Sequence, residues 1–158
     1  MAGVVQFSFI HAADSPELAG DIQALFDDLA ASLPHDLRAR SGEYRPPVDV
    51  LDTDAAATVH IDVAGVPAEA LRVLFRANVL LVVGEKAPLR GAPDHTYHLL
   101  EREFGRFARA VRLNGAFDVD QATATLRQGE LMVVLPRTVE RRGAAHPIPV
   151  TSSRGHSG

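Results

Sequence analysis

Cysteine is missing from this 158-residue sequence, and so is any excess of positive charge. Without cysteine, the chain has no disulfide framework, no thiolate metal site and no cysteine nucleophile. A formal net charge of -4, with an isoelectric point near 5.9, is atypical of a protein whose main role is to neutralise phosphate groups. We therefore expect no nucleic-acid partner.

Long apolar runs are lacking as well. The two longest uninterrupted runs, 79–83 and 131–135, are far shorter than the roughly 20 residues that cross a bilayer. No basic segment followed by an apolar one opens the chain. We expect no membrane span and a cytoplasmic location, and the length fits one domain with arms.

Catalytic motifs are the third class of feature that the sequence lacks. It contains no Walker loop, no dinucleotide fingerprint and no nucleophile elbow. Asp94, His95 and His98 could form only a sparse metal site, on a loop broken by glycine and proline, and surface histidines are the better interpretation. We expect no enzyme, no metal site and no cofactor, and rate a β-sandwich hydrolase as a remote alternative.

The beginning of the chain predicts one amphipathic helix, at about 16–33. Ser15 can cap it, Pro16 occupies its first position, and Pro34 ends it. Its apolar side chains recur at helical spacing and form a single stripe. The stripe either packs on its own domain or contacts another subunit or a client, and the sequence leaves both open. The stripe consists of Leu18, Ile22, Leu25, Phe26, Leu29 and Leu33.

From Tyr44 onwards the apolar period changes from helical to alternating. Seven or eight short strands without intervening helices predict a β-sandwich or a barrel. The two apolar runs should be central strands that are covered on both faces. A loop is predicted over 85–94, and residues 97–100 are a candidate short strand beyond it. The remaining predicted strands lie at 58–63, 71–76, 107–113 and 123–127.

Short motifs along this region follow one another in a specific order. They run Pro47-Val48-Asp49-Val50, Ala64-Gly65-Val66, Asn78-Val79-Leu80, Gly84-Glu85-Lys86, Tyr97, Glu101-Arg102, Phe104-Gly105-Arg106-Phe107, Arg109, Ala124, Gly129, Leu131, Val133-Val134-Leu135-Pro136-Arg137 and Ile148-Pro149-Val150. Over roughly 44–150, this ordered set resembles the alpha-crystallin domain of bacterial small heat-shock proteins.

The resemblance implies an all-β, immunoglobulin-like sandwich with a helical amino-terminal arm and a flexible carboxy-terminal extension. The arm would span 1–43, the domain 44–136 and the extension 137–158. The resemblance also implies an ATP-independent holdase that binds partly unfolded proteins. An adaptor with a related sandwich is the alternative, but it would be expected to lack the tail motif and the long loop.

The tail motif Ile148-Pro149-Val150 has a mechanical interpretation of its own. Proline fixes an extended backbone, so the two flanking branched side chains project as apolar knobs. The resemblance implies that this anchor docks on a neighbouring subunit and builds higher oligomers, whereas the plain alternative is an edge strand on its own domain. The receiving groove would consist of Leu71, Val73, Phe75, Ala124 and Leu126.

Arg109 is placed by strand alternation on the apolar side of its strand, where an arginine needs a partner. The resemblance implies an acidic partner across a dimer interface, and the alternative is a side chain that reaches solvent along its own stem. Tyr97, Leu99 and Leu100 would belong to the same interface, on a strand that crosses into the partner. The expected client-binding residues are Leu18, Ile22, Leu25, Phe26 and Leu29.

Overall fold

The computed structural model describes residues 15–39, 42–138 and 145–153. Within these ranges, one α-helix, α1, precedes nine strands, and three short 3-10 turns lie between the elements. The elements are α1 Pro16–Ser32, β1 Val48–Asp52, β2 Ala56–Asp62, β3 Leu71–Arg76, β4 Val79–Lys86, β5 Gly105–Arg112, β6 Thr123–Arg127, β7 Glu130–Pro136, β8 His146–Pro147 and β9 Val150–Ser152.

Two sheets pack face to face and confirm the predicted sandwich. One sheet has five strands in the order β1-β2-β7-β6-β9, and the other has four in the order β5-β4-β3-β8. Every neighbouring pair is antiparallel except β6 and β9, which run parallel. Alternating side chains of both sheets meet in one core, where Val59, Val63, Leu131 and Leu135 are fully buried.

The amino-terminal helix begins where the sequence predicts. The Ser15 hydroxyl accepts a hydrogen bond from the Leu18 amide at 3.3 Å, and Pro16 stands in the first turn, where its missing N–H costs nothing. The helix ends at Ser32, and Leu33 is the cap residue before Pro34. The predicted helix over about 16–33 is therefore confirmed. The arm's first fourteen residues lie outside the described part of the chain.

Three details differ from the sequence-based prediction. β4 runs through Glu85 to Lys86, so the predicted loop begins two residues later, because both charged side chains have partners within the fold. β7 is central but is covered on one face only, since Met132 and Val134 on its other face are half-buried. Residues 97–100 form no strand in the single chain, where they have no neighbouring strand to pair with.

Candidate functional site

A groove opens at one edge of the sandwich, between β3 of one sheet and β6 of the other. The described part of the tail, 145–153, lies along this groove. β8 pairs with β3, opposing His146 to Phe75, and the Ile148 amide then donates a hydrogen bond to the Val73 carbonyl at 2.9 Å. The tail thus extends the edge of the four-stranded sheet before it crosses the groove.

Beyond the crossing, the tail joins the other sheet. β9 runs parallel to β6 and opposes Val150 to Ala124, and the Ser153 amide donates to the Leu126 carbonyl at 3.1 Å. Pro149 lies between the two pairings, at a position where no backbone donor is needed. A single extended segment therefore covers one edge of each sheet, and β1 and β5 remain at the opposite edges.

The Ile148 side chain enters the core between the sheets and is only 4% exposed, whereas Val150 is half-buried. All five predicted groove residues are buried around the tail. The structure thus brings the predicted anchor and groove together within one chain, which is the alternative that the sequence left open. Docking on a neighbouring subunit stays a prediction. The groove residues are Leu71, Val73, Phe75, Ala124 and Leu126.

The part of the apolar stripe that lies on α1 covers the outer face of the four-stranded sheet, whereas Leu33, just after the helix, packs in the core between the sheets. Leu18 and Leu29 are buried there against Leu81, Val83 and Ala110. The other three residues that we expect to bind clients are only partly buried around this cluster. The stripe therefore packs on its own domain in this state, and client binding stays a prediction. The three residues are Ile22, Leu25 and Phe26.

Two arginines of β3 attach the polar side of α1 to the sheet. Arg72 Nε lies 2.6 Å from Asp28 Oδ2, and Arg76 Nη2 lies 3.0 Å from Asp21 Oδ1. Arg72 Nη2 also donates to the Ser32 hydroxyl at 2.9 Å. Since these groups are partly exposed, each pair adds only modest stability and is screened by salt.

Glu85 is a buried carboxylate that the sequence analysis missed. It is 1% exposed, and its Oε1 accepts a hydrogen bond from Arg106 Nε at 2.8 Å. Its other oxygen accepts from the Ala39 amide at 3.1 Å, which ties the segment after α1 to β4. The Arg106 guanidinium also lies 5.2 Å from the centre of the Phe26 ring. Glu85 therefore connects the arm, β4 and β5.

Lys86 follows Glu85 and lies over the Tyr44 ring, with its amine 4.6 Å from the ring centre. Burial, and secondarily the nearby Arg102 charge, lowers the pKa of Lys86. Burial, with Asp62 next in importance, raises the pKa of the Tyr44 hydroxyl, which donates to the Asp62 carbonyl at 2.8 Å. This cation over an aromatic ring fixes the first residues of the domain to the end of β4.

Arg109 lies on the apolar side of β5, as predicted, and is half-buried. Its Nη1 donates to the Pro46 carbonyl at 2.9 Å, and burial, with the charge of Arg45 second, lowers its pKa. Its predicted acidic partner in a dimer stays a prediction. The other three residues of the expected interface are exposed in the single chain: Tyr97, Leu99 and Leu100.

The loop that carries Asp94, His95 and His98 shows no arrangement of metal ligands among the described residues. His95 accepts a hydrogen bond on Nδ1 from the Ala92 amide at 2.9 Å, so this nitrogen takes part in the local turn. Within 15–39, 42–138 and 145–153, no group of three histidine, aspartate or glutamate side chains is placed to hold a metal ion. None of the helices in these ranges is long and apolar enough to span a membrane.

Comparison with known families connects this geometry to a class of proteins. The model of the Hsp20/alpha crystallin family matches residues 49–151, which include both sheets, the groove and the tail anchor. The chain belongs to this family. Its members are small heat-shock chaperones, which are not enzymes and which generally act without ATP.

Individual relatives agree with the family. Small heat shock protein C4 of Rickettsia felis is 23% identical over 127 residues, which cover 80% of this chain and 78% of that protein. The 18.9 kDa heat shock protein of Oryza sativa is 32% identical over 106 residues, which cover 66% of this chain and 60% of that protein. Heat shock protein 16.0 of Schizosaccharomyces pombe has a solved structure that covers 65% of this chain and 98% of that one, with 26% identity and a TM-score of 0.58.

Proposed function

We propose that this chain is an ATP-independent holdase, which binds partly unfolded proteins and prevents their aggregation under stress. Family membership supports the class of activity. The observation that carries the mechanism is that two apolar surfaces of the sandwich are each covered by a peripheral segment, one by α1 and one by the tail. Partly unfolded proteins offer matching apolar side chains and strand edges once such a cover opens.

The tail is suited to reversible attachment because it is short and presents two apolar side chains. Burial of Ile148 and Val150 contributes on the order of 3 to 6 kcal/mol before ordering costs. From Arg137 to Pro147, the connecting chain of eleven residues can extend roughly 36 Å, enough to reach the groove of another subunit. Many such contacts in one particle add avidity while each still opens, so subunits assemble into higher oligomers that exchange.

A dimer is the proposed building block of these oligomers. Exposed Tyr97, Leu99 and Leu100 would pair with an edge strand of the partner, and Arg109 would meet an acid across the interface. The substitution Arg109→Ala should weaken the dimer, as measured by analytical ultracentrifugation. An unchanged dimer with an unchanged melting temperature would remove Arg109 from the interface.

The holdase proposal is tested by light scattering of a client that aggregates on heating, in buffer without nucleotide. The wild-type chain should suppress the scattering in proportion to its concentration. Light scattering coupled to size exclusion should show an oligomer, which Ile148→Ala/Val150→Ala reduces to dimers. If the wild-type chain is a monomer that protects nothing, the holdase proposal fails and a single-partner adaptor becomes the better explanation.

The proposal includes no catalytic site, no cofactor and no nucleic-acid partner, and it places the protein in the cytoplasm without a membrane span. Its partners are other copies of the chain and unfolded clients. The acidic net charge supports the exclusion of nucleic acid, since such partners select positively charged surfaces.

A further inference from the structure

We infer that the outer face of the four-stranded sheet is a receptor for acidic amphipathic helices of partly unfolded proteins, and that α1 occupies it as a built-in stand-in. This receptor face consists of Leu74, Leu81, Val83 and Ala110, with Arg72 and Arg76 at its border. The inference rests on the proposed holdase function and adds the class of client segment that this surface selects.

The apolar part of the receptor face is continuous across three strands. Leu74 of β3 opposes Leu81 of β4, and Leu81 opposes Ala110 of β5, so the three side chains form one row. Leu81 and Val83 are almost completely buried, although they point away from the core between the sheets. Their burial depends on α1, so release of α1 exposes an apolar surface.

The two arginines at the border of the receptor face determine where a bound helix must carry acidic residues. Arg72 and Arg76 lie four residues apart on one face of β3, a separation of about 13 Å along a strand. Asp28 and Asp21, which pair with them, lie seven residues apart, about 10 Å along a helix and on one side of it. The strand thus matches two acids that are two helical turns apart, on a helix antiparallel to β3.

The geometry favours a helix over an extended segment. β4 is hydrogen-bonded to β3 on one side and to β5 on the other, so the face offers side chains but no free backbone groups. A helix satisfies its own backbone hydrogen bonds and needs only this side-chain surface. The groove between β3 and β6 has the opposite character, since it pairs with the backbone of an extended tail.

A peptide that copies residues 15–33, acetylated and carrying a fluorophore, is the probe, and fluorescence anisotropy with full-length chains is the measurement. In the wild-type chain, α1 competes and binding should be weak. The variant Leu18→Ser/Leu29→Ser removes the buried side chains of α1 and leaves the receptor face unchanged. This opened chain should bind the peptide at least about tenfold more tightly than wild type, because the tethered competitor is weakened.

Exchanging the charges of the peptide and of the receptor face distinguishes specific recognition from nonspecific hydrophobic binding. A peptide with Asp21→Lys and Asp28→Lys should bind the opened chain about tenfold more weakly, because two partly exposed pairs are replaced by repulsion. Adding Arg72→Glu and Arg76→Glu to the opened chain should reverse this preference. If the opened chain does not fold, the full-length variant Asp21→Lys/Asp28→Lys opens the face by repulsion and serves in its place.

Equal binding of both peptides, or no binding to either opened chain, would overturn the inference. Suppression of client aggregation by the wild-type chain is measured in parallel. If suppression persists while the peptide does not bind, this inference fails and the holdase proposal stands. If the peptide binds with the expected charge preference while the wild-type chain suppresses nothing, the holdase proposal fails and the receptor face stands as a helix-binding site.

Discussion

Two segments near opposite ends of the chain lie on the same sandwich, and different forces hold them. α1 is attached by side chains alone, through an apolar stripe and two partly exposed ion pairs. The tail is attached by backbone pairing to both sheets and by one deeply buried side chain, Ile148. We therefore expect salt and charge substitutions to weaken mainly the attachment of α1, and changes in side-chain volume to weaken mainly the attachment of the tail.

The largest expected effect is on the tail. Ile148→Ala should destabilise its attachment by about 2 to 4 kcal/mol, because a buried aliphatic side chain leaves a cavity when it is truncated. Val150→Ala, at a half-buried position, should cost only about 1 kcal/mol. Amide hydrogen exchange at residues 148 and 153 measures both. Equal effects of the two substitutions would mean that Ile148 is not the main anchor.

A substitution at Glu85 tests how strongly the arm is attached to the sandwich. Glu85→Gln should lower the free energy of unfolding by about 1 to 3 kcal/mol, since it removes charge-assisted bonds from a buried group. Glu130→Gln is the matched control, because that carboxylate pairs with His60 at an exposed site and should have little effect. Thermal unfolding followed by circular dichroism compares them. Equal losses would show that burial of Glu85 adds nothing.

Salt should affect the attachments of the two segments differently, with a smaller effect than the substitutions above. Raising sodium chloride from low concentration to about 1 M should loosen α1 by a fraction of a kcal/mol for each ion pair, while the tail stays as it is. Amide exchange within 18–32 and at residue 148 reports the two attachments in one sample. The variant Arg72→Gln/Arg76→Gln should lose this salt response. A tail that loosens as much as the helix would contradict the comparison.

The smallest expected effect is the contribution of Lys86, which lies over the Tyr44 ring, to the pH dependence of stability. Its pKa is lower in the folded chain than the ordinary 10.5, so the unfolded chain binds this proton more strongly. The contribution of Lys86 to stability therefore rises as the pH increases through the interval between this lowered pKa and 10.5. The difference in unfolding free energy between wild type and Lys86→Met should show this rise. Tyr44 is present in both chains, so its opposite contribution cancels.

Much of the fold was accessible from the sequence because its signals are local. Ser15 and Pro16 begin α1 as the capping rules require, and the change from helical to alternating periodicity locates the sandwich. The tail motif was visible because a proline between two branched residues has one simple extended form. Which chain's groove it enters is not a local property, and the pattern alone left that choice open.

Other features depend on contacts between distant residues and could not be predicted. Glu85 looked like the start of a loop, because nothing nearby indicates that Arg106 and the Ala39 amide surround its carboxylate. The run 131–135 has the composition of a strand covered on both faces. Its outer face is nevertheless half-buried, since α1 packs on the other sheet. Composition shows that a segment is apolar but not which neighbour covers it.

The central claim is that α1 must leave the sheet before the chain can hold clients. The chain has no cysteine, so Asp28→Cys/Arg72→Cys can be joined by a thiol-cleavable crosslinker without side reactions at other thiols. We predict that the locked chain fails to suppress client aggregation and that reduction restores suppression in the same sample to the level of the uncrosslinked double variant. A locked chain that protects as well as the control would contradict the account.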